Sequence, residues 1–99
     1  MMAVTLARRV RYYYRRIRRG IRLLGEGEVV VIQARRAHSK RPDAAIYLYP
    51  DGSAAVYRHT WTTTELRRRW EEAIWWLAKL MARVPTRWRL VCCVERWEM

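Results

Sequence analysis

Three tyrosines lie in two short stretches of the chain, among small and apolar residues. The stretches read Ala45-Ile46-Tyr47-Leu48-Tyr49 and Ala54-Ala55-Val56-Tyr57-Arg58. Because alternate side chains of an extended strand share a face, Tyr47 and Tyr49 are predicted to lie together. A hairpin with a three-residue turn between the two stretches places Tyr57 on the same face. The small side chains of Ala45 and Ala55 would leave room around the rings. Aromatic faces stack on other planar groups, so this pattern predicts a surface for planar ligands.

Basic side chains recur with helical spacing near the start of the chain. One arc contains Arg8, Arg11, Arg15, Arg18 and Arg22, and Tyr12 points to the same side. No acidic residue lies among them, so similar charges at helical neighbour positions repel one another unless a polyanion compensates. A solvated helix face, a transit peptide and a helix lying flat on a membrane are the alternatives. We favour phosphate contact, because the opposite, apolar stripe of this helix is needed as core.

Catalytic and metal-binding motifs are not apparent. The sequence contains no Gly-rich phosphate loop, no nucleophile motif and no suitably separated pair of carboxylates. Cys92 and Cys93, combined with His38 and His59, do not match a standard zinc-ligand spacing. We therefore expect a protein that is not an enzyme and that needs neither a metal ion nor another cofactor.

The composition indicates a small, strongly basic domain. The 99 residues carry a formal net charge of +12, and a field of this sign attracts polyanions such as nucleic acids. No apolar run is long enough to cross a bilayer. All basic residues except Lys40 and Lys79 are arginines, Asn is absent and Gln33 is the only Gln, which suggests a thermophile.

The cysteines indicate the compartment. Cys92 and Cys93 are adjacent, so a strand would send their side chains to opposite faces and a mutual disulfide is not expected. They are interpreted as small buried apolar residues in a reducing cell, which favours a cytoplasmic location.

Apolar periodicity predicts two helices. Residues 4–24 form the first, and its apolar stripe is Leu6, Val10, Tyr13, Ile17, Ile21 and Leu24. Thr62-Thr63-Thr64-Glu65 matches a capping box that would begin the second helix, which is expected to end near Val84, before Pro85. Its predicted stripe is Leu66, Trp70, Ala73, Ile74, Leu77, Met81 and Val84. Trp75 falls outside this stripe and is predicted to be exposed, as a subunit contact.

The remaining segments predict strands. A β-rich run at residues 29–35 begins with continuous apolar residues, which favours an inner strand, and a polar loop follows to Asp43. The next two strands form a hairpin. Since Pro50 cannot donate a ladder hydrogen bond, a three-residue turn closed by Gly52 is favoured over a two-residue turn. That turn pairs Tyr49 with Ser53, Tyr47 with Ala55 and Ile46 with Val56. Residues 87–97 form the last strand, with Trp88, Leu90, Cys92 and Val94 on one face and Arg87, Arg89, Val91, Cys93, Glu95 and Trp97 on the other.

These elements predict one α+β domain over residues 1–99, in the order α-β-β-β-α-β. A four-stranded antiparallel sheet would carry both amphipathic helices on one face. The other face would hold Tyr47, Tyr49, Tyr57, Arg35, Arg87, Arg89 and Trp97. Aromatic rings interleaved with guanidinium groups suit single-stranded nucleic acid, whose unpaired bases can stack. The alternatives are that tyrosines simply favour strands or that they cover a dimer interface.

A compact, Arg-rich α+β chain with aromatic strands and a basic face resembles the ThermoDBP-related proteins of hyperthermophilic archaea. The resemblance covers most of the chain in element order and composition, and no sequence motif carries it. It implies an archaeal protein that binds single-stranded DNA through basic and aromatic residues, and an oligomer that encloses the strand between subunits. No individual site residue is implied. A protein of an archaeal virus fits the composition equally well.

The sequence thus predicts a sequence-tolerant single-stranded DNA-binding protein that forms a homo-oligomer and has no membrane partner. The first alternative is an RNA-binding protein. The second is a structural or assembly protein, for example of an archaeal virus, whose tyrosine face is a subunit interface.

Overall fold

The computed structural model describes residues 2–22, 27–84 and 88–95, and shows two helices and five strands in this part of the chain. The helices are α1 (Met2–Arg22) and α2 (Trp70–Arg83). The strands are β1 (Val29–Arg36), β2 (Ala44–Leu48), β3 (Ala54–Arg58), β4 (Glu65–Arg67) and β5 (Trp88–Glu95). They form one antiparallel sheet in the order β4-β3-β2-β1-β5. The predicted α+β class and the inner position of β1 are confirmed.

The prediction of four strands was wrong, because the segment expected to begin the second helix forms β4. Glu65 pairs with Val56, Leu66 with Ala55 and Arg67 with Ala54, so β4 extends the sheet beyond β3. The added strand satisfies backbone groups that β3 would otherwise leave unpaired at the sheet edge, a non-local gain that outweighs a local capping box.

The helix begins later than predicted and without the expected cap. Its N-cap is Arg69, which has an extended backbone and makes no capping hydrogen bond through its side chain. Glu71 and Glu72 lie in the first turn instead, where negative charge is favourable for the helix dipole. Leu66, predicted to be in the buried stripe, is therefore on the sheet and is 78% exposed. The end of α2 near Val84 agrees with the prediction.

The core lies between the helices and one face of the sheet. It contains Ile17, Val30, Ile32, Ala34, Ala44, Ile46, Leu48, Ala54, Val56, Ala73, Ile74, Leu77, Ala78 and Met81. The strand members alternate along β1, β2 and β3, as expected when only one face is covered by helices. The stripe of α1 is less buried than predicted. Ile17 is fully buried, Val10, Tyr13 and Ile21 are partly buried against the core, and Leu24 lies outside the described residues.

A polar and aromatic contact joins α1 to α2. The Tyr14 hydroxyl donates to the Glu71 carboxylate, 2.9 Å from each oxygen, and the Arg18 guanidinium lies 3.2 Å from the same carboxylate. The Tyr14 ring stacks on Trp75 with 3.9 Å between centroids. The predicted exposure of Trp75 was therefore wrong: α1 lies beside α2 and covers this flank, which a helical wheel of α2 alone does not reveal.

The β2–β3 hairpin has the predicted register. Ile46 pairs with Val56 and Tyr47 with Ala55, and the Tyr49 amide donates to the Ser53 carbonyl at 3.0 Å. Gly52 has a φ of +93°, the left-handed conformation that closes a three-residue turn. The hydroxyl group of Ser53, followed by its backbone amide, donates to Asp51 and lowers the pKa of that carboxyl group.

Candidate functional site

The sheet face opposite the helices carries most of the predicted aromatic and basic residues. We call it the open face. The strand registers place on it Val29, Val31, Gln33, Arg35, Ala45, Tyr47, Ala55, Tyr57, Leu66, Arg89, Val91 and Cys93. None of the described helices packs on this side, because both contribute their buried residues to the core on the other side.

Tyr47 and Tyr57 are diagonal neighbours on the open face. Tyr47 lies opposite Ala55, and Tyr57 lies opposite Ala45, so the two tyrosines are separated by about 7–8 Å across the strand pair. Both are half-buried. Ala45 and Ala55 are fully buried although they do not belong to the core under the helices. Larger side chains of the open face must therefore cover the alanines, which is the arrangement expected if the tyrosine rings lean over them.

Tyr49 lies where β2 enters the turn. Its carbonyl oxygen accepts hydrogen bonds from the Trp70 indole at 2.7 Å and from the Gly52 amide at 3.1 Å. These bonds fix the backbone of Tyr49 between the hairpin and the start of α2. Tyr49 is half-buried and lies at the hairpin end of the sheet, closer to the turn than the strand-paired Tyr47.

Two arginines lie directly opposite each other on the open face. Arg35 of β1 pairs with Arg89 of β5 in the antiparallel register. The Arg35 guanidinium donates from Nε to the Gln33 side-chain oxygen at 2.8 Å and makes a second hydrogen bond to the same oxygen through Nη2. Similar charges at directly opposed positions repel, so the pair favours a bound anion. Arg87 and Trp97, also predicted for this face, lie outside the described residues.

The predicted arginines of α1 form a second basic surface, which we call the arginine arc. It consists of Arg8, Arg11, Arg15, Arg18 and Arg22, all exposed except Arg18, which is half-buried beside Glu71. Tyr12 is 56% exposed, and the Arg16 guanidinium carbon lies 5.7 Å from its ring centroid. Sequence reasoning missed Arg16, although its spacing of four residues from Tyr12 places the two side chains next to each other.

The arginine arc and the open face lie on opposite sides of the sheet. The apolar stripe of α1 faces the core, and the arc lies on the other side of that helix except at Arg18, which contacts Glu71 of α2. The open face is the opposite face of the sheet, on which neither α1 nor α2 packs. A single copy of the chain therefore presents two separate basic surfaces rather than one groove.

A cleft of about 700 Å³ lies at the end of the open face where β1 and β3 finish. We call it the loop cleft. Its lining residues are Arg36, Ala37, His38, Ser39, Arg41, Pro42, Asp43, Tyr57 and His59. The Arg36 Nε lies 3.3 Å from the Asp43 carboxylate, which is 8% exposed as a residue. Sequence reasoning missed the cleft, because its two segments are brought together only by the pairing of the strands.

The described residues contain no group of three or more His, Cys, Asp or Glu side chains that could hold a metal ion. Cys92 and Cys93 are not joined in a disulfide and lie on opposite faces of β5, as the register requires. Their predicted burial was wrong, since Cys92 is exposed and Cys93 is half-buried. Among the helices that the structure describes, none has the length and apolarity needed to cross a membrane.

The chain was also compared with protein families, curated proteins and solved structures, and no match was found. The resemblance to ThermoDBP-related proteins therefore stays a prediction. The functional assignment depends on the geometry of the open face, the arginine arc and the loop cleft.

Proposed function

We propose that the protein binds single-stranded DNA without marked sequence preference and that the open face is the binding platform. The observation that carries the proposal is the pair of half-buried tyrosines, Tyr47 and Tyr57, set diagonally on a sheet face that neither of the described helices covers. Bases would stack on these rings and on Tyr49. The opposed Arg35 and Arg89 would pair with the phosphates of the same strand.

Single strands fit this surface better than a duplex does. An unpaired base offers its whole aromatic face, and each base that stacks on a protein ring contributes about 1–3 kcal/mol. In a duplex the base faces are already stacked on one another, so a flat tyrosine surface would meet mainly phosphates. Stacking is also tolerant of sequence, because every base has an aromatic face.

Electrostatics supports a polyanionic partner on both sides of the chain. The net charge is +12, and four arginines of the arc are exposed. Phosphate contacts release counterions, so affinity would fall steeply as the salt concentration rises. We assign the arc the role of an electrostatic guide and secondary phosphate contact, since its exposed aromatic residue is Tyr12 alone among the described residues of α1. Because the arc lies on the far side, an oligomer would allow one strand to contact both surfaces.

A second candidate function is supported by Leu66. This residue is 78% exposed and lies opposite Ala55, so it extends the apolar part of the open face to the short edge strand β4. Exposed apolar side chains of this kind often mark subunit interfaces. In an assembly protein the tyrosines would be buried against a second copy and would not be available to bases.

Binding titrations separate these possibilities. Intrinsic Trp fluorescence or the anisotropy of a labelled oligonucleotide would be followed with single-stranded DNA, single-stranded RNA and duplex DNA of equal length. Stronger binding to single-stranded DNA supports the proposal, and preference for RNA supports the RNA-binding alternative. Equal affinity for the duplex would contradict stacking on the open face. A Leu66→Glu variant that loses self-association, with unchanged nucleic-acid affinity, would place the subunit contact near β4, at the edge of the open face and apart from the tyrosines.

A further inference from the structure

The loop cleft is continuous with the open face through Tyr57. Tyr57 is on the open face, opposite Ala45, and it also lines the cleft. The β1–β2 loop forms the opposite side of the cleft, where His38 has a φ of +66°. A base stacked on Tyr57 would therefore have its sugar and phosphate at the mouth of a concave basic site. Beyond Tyr57 the platform ends, so this position suits the end of a strand.

The acidic residue of the cleft is already occupied by protein donors. One Asp43 oxygen accepts from the Arg36 backbone amide at 3.2 Å, and the other lies 3.3 Å from the Arg36 Nε. Arg36 and Arg41 both line the cleft with this one carboxylate, so the lining has an excess of positive charge from these three side chains alone. Arg41 has no carboxylate partner among the described residues, and its guanidinium group remains available to a ligand.

His59 is oriented by the same residue. Its Nδ1 lies 3.3 Å from the Asp43 carbonyl oxygen. A carbonyl oxygen only accepts hydrogen bonds, so Nδ1 carries a proton in this contact. The other ring nitrogen, Nε2, points away from the Asp43 carbonyl group. A protonated His59 would donate from Nε2 to an anion. The cleft thus supplies a fixed imidazole and a guanidinium group, which are both common partners of phosphate oxygens.

We propose that the loop cleft binds the terminal phosphate monoester of a strand lying on the open face. This inference depends on the proposed function. A phosphate monoester carries a charge of about −1.5 to −2 at pH 7, more than the single charge of an internal phosphodiester. The excess of basic groups therefore favours a strand end over an internal linkage. Whether the cleft prefers a 5′-phosphate or a 3′-phosphate shows in which direction the strand lies on the open face.

Three oligonucleotides of one sequence test the inference, each labelled internally so that both ends stay free. The first has a 5′-phosphate, the second has a 3′-phosphate and the third has hydroxyl groups at both ends. One phosphorylated form is expected to bind about tenfold more tightly than the hydroxyl form, the scale of charge-assisted hydrogen bonds. Equal affinity of all three would overturn the terminal-phosphate site but leave single-strand binding intact. Failure of all three to bind would refute the proposed function itself.

Variants identify the cleft as the source of the preference. Arg41→Gln and His59→Gln should each remove most of the preference for the phosphorylated end and leave the affinity for the hydroxyl form nearly unchanged. Lys40→Gln is the matched control, because Lys40 is exposed in the same loop but does not line the cleft. It should lower all three affinities slightly and keep the preference. If Lys40→Gln removes the preference as fully as Arg41→Gln, general loop charge and not the cleft is responsible, and the inference is wrong.

Discussion

Replacing Tyr47 and Tyr57 with alanine should remove the stacking platform without removing the core. Neither tyrosine belongs to the buried cluster between the helices and the sheet. Their cross-strand partners are Ala55 and Ala45, so the substitutions delete rings from the open face and leave the strand pairing in place. The fold should therefore survive, although the alanines beneath the rings become more accessible to water.

The expected loss of affinity follows from the number of rings removed. At about 1–3 kcal/mol per stacked base, two lost contacts correspond to about 2–6 kcal/mol. Both rings are half-buried, so each offers one face at most and the lower end of the range applies. A loss of about 2 kcal/mol weakens binding by about 30-fold. The dependence of affinity on salt should change little, because no phosphate partner has been removed.

Fluorescence anisotropy with a labelled oligonucleotide, repeated at several salt concentrations, measures both quantities. The matched control is the double variant Tyr47→Phe and Tyr57→Phe, which keeps the rings and deletes only the hydroxyl groups. The control should bind within a few-fold of the wild type. If the alanine variant binds as tightly as the phenylalanine variant while both remain folded, the open face is not the platform.

Three further predictions concern α1 and its contacts. The double variant Arg11→Gln and Arg15→Gln should reduce the slope of log affinity against log salt concentration by up to about 1.4, since each lost phosphate contact contributes about 0.7 for a single strand. An unchanged slope would exclude the arginine arc from binding. Tyr14→Phe should lower the free energy of unfolding by about 0.5–1.5 kcal/mol in urea titrations, because it deletes a hydrogen bond to a carboxylate of α2. Burial, followed by that hydrogen bond, raises the pKa of Tyr14 in the folded protein, so the unfolded chain loses the hydroxyl proton at a lower pH. The difference in unfolding free energy between the wild type and Tyr14→Phe should therefore shrink as pH rises above about 10. A difference that stays constant with pH would contradict this. Gly20→Leu should destabilise the protein by about 1–3 kcal/mol, because a Cβ at this position would lie 2.6 Å from the Cys92 Sγ. Unchanged stability in urea titrations would show that α1 can move away from β5.

The hairpin was predictable from sequence because its constraints are local. Pro50 excludes a two-residue turn, and Gly52 supplies the left-handed conformation that a three-residue turn requires. Turn length then fixes the register, and the register fixes which side chains share a face. The predicted grouping of Tyr47 with Tyr57 follows from these steps.

The start of α2 and the environment of Trp75 were not predictable in the same way. Glu65 fits a capping box locally, but its backbone pairs with Val56 of the preceding strand, β3. Trp75 lies outside the apolar stripe of α2, yet Tyr14 of the other helix covers it. Both errors arise because contacts with another element of the fold outweigh the preferences of the segment itself.

The candidate site was predictable in part. Period-two alternation placed Arg35 and Arg89 on the same face, and the β1–β5 register sets them opposite each other. The loop cleft was missed because Arg36 and His59 come from segments separated by the whole hairpin. Only the antiparallel arrangement of β1, β2 and β3 brings those segments to one end of the sheet.

Photochemical cross-linking tests most directly whether the open face is the platform. A single-stranded oligonucleotide containing bromodeoxyuridine would be bound, irradiated and digested, and the cross-linked residues would be identified by mass spectrometry. We predict cross-links at Tyr47 or Tyr57, which duplex competitor removes only weakly. Cross-links confined to Tyr12 on the arginine arc, with none on the open face, would contradict the account.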